Sequence, residues 1–72
     1  MRYIVAAFDP ERLPRAYGLG DTVYLAQEMC RLQLAEYRRA KHQVGDPLAT
    51  AIFVFKYAEV TGGDSGTWIV LE

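Results

Sequence analysis

Few side chains in this chain have types and spacing suited to chemistry. Its 72 residues hold one cysteine, Cys30, and one histidine, His42. Both fall in one predicted helix but on different faces of it, so they cannot share a metal ion, and no metal site is expected. Histidine is the one side-chain type whose unperturbed charge change falls near neutral pH. The place of His42 on the helical wheel is solvent-side, and Arg38 stands where an acidic partner four residues earlier would be. The expected role is a cation near the helix C-terminus, favoured by the dipole. Cys30 lies in an apolar stripe and reads as an inert core thiol. Gly63-Asp64-Ser65-Gly66 sets a serine among small residues, but a serine triad needs a histidine base and a buried aspartate held by a far larger fold. These residue types dominate turns for local reasons, and a turn is predicted. Gly18-Leu19-Gly20 precedes a helix N-terminus, where anions bind. The dinucleotide fingerprint requires a third glycine three positions on, where Val23 stands, and Asp21 would repel a phosphate. Neither catalysis nor a cofactor is expected.

Binding chemistry has more to draw on. Arg31, Arg38, Arg39 and His42 are predicted to form a basic strip on the outer face of the helix, partly neutralised by Glu28 and Glu36. Phe53, Phe55 and Tyr57 alternate along a predicted strand, as the stacking residues of an RNA-binding sheet do. No basic rim accompanies them, because Lys56 points to the opposite side, so an association face or core is the expected role. Tyr17 and Tyr24 are amphipathic anchors of the kind found in protein interfaces, and Tyr24 falls on the polar side of the helix.

One stretch must position these groups. From Asp21 to Val44, residues Val23, Ala26, Cys30, Gln33, Tyr37, Ala40 and Val44 recur at alternating spacings of three and four, the period of one helical face. Leu25, Met29 and Leu34 widen the stripe. Asp21 or Thr22 is the predicted N-cap, and Gly45 with Asp46-Pro47 ends the helix.

The flanking chain reads as strands and turns. Arg2 to Phe8 is apolar on both faces and predicts a strand covered on two sides. Residues 9–20 carry Pro10, Pro14, Gly18 and Gly20 and are predicted to be a structured loop, with one turn of helix at Pro10 to Leu13. A strand is predicted over 49–60, a hairpin turn over 61–66 and a last strand over 67–72. The expected fold is α+β: a single β-α-β-β domain, with a three-stranded, mainly antiparallel sheet and one long amphipathic helix packed on one face. If the first two strands are neighbours, a right-handed crossover makes them parallel.

With 51% hydrophobic and 24% charged residues, the composition is that of a folded domain. The net charge of −1 argues against the broad basic footprint of a nucleic-acid binder. A lone cysteine suits a reducing cytoplasm. No signal peptide or membrane span is read, so a complete, soluble, cytoplasmic chain is expected. One helix about 10 Å wide cannot mask both apolar faces of the sheet. Either Phe53, Phe55 and Tyr57 or the aliphatic row opposite is left for the loop, a second copy or a different protein, since large apolar patches mark interaction sites.

The expected function is therefore a non-enzymatic interaction module that binds and occludes a larger protein or ribonucleoprotein, with homodimerisation possible. Tyr17, Tyr24, Arg31, Arg38, Arg39 and His42 are the expected partner-binding residues. In size and character the chain resembles small phage-encoded inhibitors of host defence, such as anti-CRISPR proteins, although no motif carries that likeness. If that resemblance holds, it acts in the host cell cytoplasm. The alternative is a nucleic-acid-binding or toxin–antitoxin-type regulator using the basic strip.

Overall fold

The computed structural model describes residues 2–61, 64–65 and 67–71. One long helix packs on an antiparallel sheet, a small α+β fold. Strands β1 (Arg2–Phe8) and β2 (Pro14–Gly20) precede helix α1 (Val23–Gln43) and a 3₁₀ turn (Pro47–Ala49). Strands β3 (Val54–Thr61), β4 (Asp64–Ser65) and β5 (Ile69–Val70) follow. The sheet order is β2-β1-β3-β4, and β5 also pairs with β3.

The largest difference from the sequence reading is β2, which occupies most of the predicted 9–20 loop. Pro14 stands at the first position of an edge strand, where a missing N–H costs no ladder bond. Because β2 reverses the chain before the helix, β3 returns antiparallel to β1, not parallel. The crossover instead links β2 to β3, which share a direction and flank β1. The predicted helical turn at Pro10 to Leu13 is a tight turn in which the Arg12 N–H bonds the Asp9 carbonyl at 2.8 Å and Arg12 has φ of 68°.

The helix starts at Thr22, whose hydroxyl accepts the Leu25 N–H at 3.1 Å. It ends at Gly45, where φ of 70° suits a residue without a Cβ. The predicted strand 49–60 begins only at Val54, because Asp46 and Pro47 set up the 3₁₀ turn first. Of the predicted hairpin turn, Thr61 belongs to β3, Asp64 and Ser65 pair with β3, and Gly62, Gly63 and Gly66 lie outside the described residues. Of the predicted last strand, only Ile69–Val70 forms among residues 67–71, and Glu72 lies outside the described residues.

The core is built of small residues between the helix and one sheet face. Val5, Ala7, Ala16, Ala26, Cys30 and Leu34 are buried together, with Tyr3, Val23, Tyr37, Phe53, Phe55, Tyr57 and Leu71 packed around them. The buried stripe thus runs through Ala26, Cys30 and Leu34. Val44, placed on the stripe by periodicity, is the C-cap and is 74% exposed, and Gln33 and Ala40 are exposed as well. The sheet registers Val5 between Gly18 and Tyr57, and Ala7 between Ala16 and Phe55. Gly18 and Gly20 therefore face the helix, and they are packing residues. A Cβ on Gly18 would meet the backbone of Ala26, Cys30 and Met29; one on Gly20 would stand 2.6 Å from the Ala26 nitrogen and 2.8 Å from the Leu25 Cβ. The helix backbone rests directly on β2.

Candidate interaction surface

The alternation of a strand sends its even residues to the other side of the sheet. In β1 these are Arg2, Ile4, Ala6 and Phe8. The register sets Leu19, Ile4 and Ala58 in one row, and Tyr17, Ala6, Lys56 and Val70 in the next. Among the described residues no element packs on this face. Tyr17, Leu19, Val54, Val60, Trp68 and Val70 are all substantially exposed on it, Trp68 at 39% and Val70 at 54%. Only the small side chains are hidden: Ala6 and Ala58 are buried by their larger cross-strand neighbours.

Phe8 anchors one end of the face. Trp68 meets it edge to face with ring centroids 5.5 Å apart, and the Lys56 Nζ sits 4.9 Å from its centroid. Both geometries are favourable for aromatic rings. A groove of about 360 Å³ continues from there, lined by Phe8, Pro10, Arg12, Ile52, Val54 and Lys56, with Asp9 at its base.

Asp9 is the buried polar residue that shapes this end, at 3% exposure. A bulge between Ala7 and Phe8 leaves Arg15 as the extra residue of β2. Bulges re-aim side chains, and here the Arg15 Nε lies 2.7 Å from the Asp9 Oδ2. The other oxygen accepts the N–H groups of Glu11 and Leu13, both at 2.9 Å. The Leu13 N–H and then the Arg15 guanidinium hold the Asp9 carboxyl below its ordinary value of 3.8, against the burial that pushes it up. A depressed folded pKa means stabilisation that is present above the unfolded value and lost as pH falls through the folded one. Wild-type protein should lose more stability between pH 6 and pH 3 than Asp9→Asn does, as read from urea midpoints. Equal losses would show that the carboxylate is not held as described.

Phe53, Phe55 and Tyr57, expected as an association face, are instead half-buried under the helix, where Tyr37 meets Phe53 edge to face at 6.1 Å. The aliphatic row opposite is the uncovered one, because the helix follows the small residues of β2 and the aromatic row lies on that same side. The predicted basic strip is divided. Arg38 turns to the sheet, with Cζ 4.9 Å from the Phe53 centroid and a 3.0 Å hydrogen bond to the Ala49 carbonyl. Arg31 reaches over Phe55 at 5.9 Å and lies 3.9 Å from Glu28. Arg39 and His42 stay exposed, and Tyr24 is 67% exposed on the helix, away from the open sheet face. Of the expected partner-binding residues, Tyr17 alone lies on that face.

Cys30 is fully buried, and burial pushes its thiol up to about 11, which keeps it protonated at neutral pH. Among the described residues no group of three His, Cys, Asp or Glu side chains could hold a metal ion. Among them, too, no helix is long and apolar enough to cross a membrane. Asp9 with Arg15 was not singled out from the sequence, which left the aliphatic row as one of two alternatives for the uncovered face. The short spacing of Asp9 and Arg15 across a proline turn was their only local signal. No protein-family model, curated protein or solved structure matches this chain.

Proposed function

We propose that this chain is a non-enzymatic interaction module whose open sheet face docks on, and occludes a surface of, a larger protein. The observation that carries this reading is the group of exposed apolar side chains on one side of the sheet, with Val54 and Val60 on β3, Val70 on β5 and Trp68 just before it all uncovered. A soluble protein rarely exposes such a patch without a use for it. Tyr17 and Trp68 are the rigid, amphipathic anchors that interfaces favour. Arg2 and Arg12 toward its ends and Lys56 within it make the face basic, suited to a partner whose apolar patch carries carboxylates. Nucleic acid is the weaker reading, since Arg31 and Arg38 are drawn toward the aromatics on the other side of the sheet and the valines that separate Tyr17 from Trp68 offer bases no stacking surface.

The test is a Val54→Lys/Val70→Lys double variant with a photo-cross-linker at Val60. Both valines are exposed, so the urea midpoint should hold while capture of the partner from the native cell falls at least tenfold. Cross-linking at Val60 to a single protein supports the reading. Capture unaffected by the two lysines overturns it, as does salt-sensitive oligonucleotide binding abolished by Arg39→Glu.

A further inference from the structure

We propose that a second copy of this chain docks on the β2 edge, strand against strand and helix against helix, about a single two-fold axis. This surface is distinct from the open sheet face, and the inference does not depend on what that face binds.

β2 ends the sheet, with β1 as its only neighbour among the described residues. The Tyr17 N–H points away from β1, because it donates to the Gln33 Oε1 of the helix at 3.3 Å. By strand alternation, the Tyr17 carbonyl and the backbone groups of Leu19 point the same way. An edge of this kind is a template for a further strand; Pro14 and the bulge at Arg15 blunt only its start, and from Tyr17 on one long side-chain bond protects it. Alongside the edge runs a notch lined by Tyr17, Gly18, Leu19, Met29 and Gln33. Above it, Leu25 and Met29 of the helix are about half exposed and Leu32 is 64% exposed. Edge and helix flank form one continuous surface.

The second copy is the occupant that satisfies both parts at once. Set Tyr17 opposite Tyr17 of the second copy as an antiparallel hydrogen-bonded pair. The axis then passes at the level of Gln33, close to the middle of Val23–Gln43, so the same axis sets the two helices side by side and antiparallel. Their spacing is also suitable. Because the helix lies over β2 and its neighbour β1, and strands lie about 4.8 Å apart, an axis above the line between these two strands stands about 5 Å from the two-fold, and the two helix axes come within roughly 10 Å, the distance at which helices pack. A helix centred on the sheet would be too far from the edge. Charge agrees with the antiparallel sense. The N-terminal end carries Asp21 and Glu28, the C-terminal end Arg39 and His42, and the Arg12 end of β2 meets the Asp21 end of the second copy. An isolated extended peptide would fill the edge but leave Leu25 and Met29 uncovered. The resulting dimer would place two open sheet faces on the same side of one continuous sheet, a bivalent docking surface.

The experiment is sedimentation of the full chain over a wide concentration range, with three variants. Tyr17→Cys should form an intermolecular disulfide under mild oxidation, because hydrogen-bonded strand pairs have Cα atoms about 5.5 Å apart, within disulfide reach. Leu19→Cys should not, since Arg15 of the second copy opposes it, and the buried Cys30 does not compete. Met29→Glu should weaken association at least tenfold with an unchanged urea midpoint in dilute solution. A mass that stays at 8.1 kDa up to about 1 mM overturns the proposal. So does a dimer that Met29→Glu leaves intact, or one cross-linked through Val54→Cys instead of Tyr17→Cys, which would place the two open faces against each other.

Discussion

Gly18→Ala is expected to unfold the protein at room temperature. The substitution adds one methyl group on β2, where strand propensity would welcome it, and its effect comes entirely from the helix above. That methyl would overlap the Ala26 carbonyl oxygen and the Cys30 nitrogen and stand 2.9 Å from the Met29 carbonyl carbon. All of these are backbone atoms held in a helical ladder, so no side-chain rotamer relieves the clash and the helix must lift from the sheet. Overpacking against a rigid neighbour costs about 3 kcal/mol or more. A single core in a chain this short rarely supplies more than about 3–5 kcal/mol. The comparison is Gly45→Ala. Gly45 has φ of 70° and nothing within 4 Å of an added Cβ, so its substitution costs only about 1 kcal/mol of backbone strain. Far-UV circular dichroism with urea titration reads both. A Gly18→Ala protein with a wild-type midpoint would mean the helix does not rest on β2.

Leu34→Ala and Leu32→Ala should differ by several kcal/mol although the two leucines are two residues apart. Leu34 is 6% exposed and is the only leucine buried among the described residues, in a cluster otherwise made of Val5, three alanines and Cys30. Truncating a buried leucine costs about 2–5 kcal/mol, and neighbours as small as these cannot collapse to fill the space. Leu32 is 64% exposed on the opposite side of the helix, and its loss should cost at most about 0.5 kcal/mol. Urea midpoints measured in dilute solution give both values free of any association. Similar costs at the two positions would mean that the helix is rotated about its axis relative to the arrangement described.

Most of the local structure was legible in the residues. The long helix, its Thr22 cap and its Gly45 stop follow from an apolar period of three and four bracketed by a hydroxyl and a glycine. The first strand, the central part of the third and the burial of Cys30 follow from β-branched runs and from the stripe. Less legible was the phase of the helix. Periodicity put Gln33, Ala40 and Val44 on its buried face beside Tyr37, with Leu34 only at the edge, whereas toward the C-terminal half Leu34 and Tyr37 meet the sheet and the other three are exposed. A wheel gives the direction of a stripe only to within about a third of a turn when leucines stand on both sides of it.

The missed strand shows where reading residue by residue fails. Pro14, Gly18 and Gly20 are turn-formers by local preference, and a loop was the expected outcome. β2 exists because a helix pressed closely against an edge strand needs residues without side chains beneath it, a requirement that only the packed helix imposes.

The sequence by itself determined that this chain makes one long amphipathic helix, apolar strands and a domain too small to cover both sides of its sheet. Periodicity, capping and composition act over a few residues and are written in the order of the chain. Which side stays open was decided by the tertiary structure alone. Alternation gives every strand two faces of nearly equal apolarity here. The choice between them is made by the glycines of β2, which admit the helix on one side and leave Val54, Val60, Trp68 and Val70 on the other.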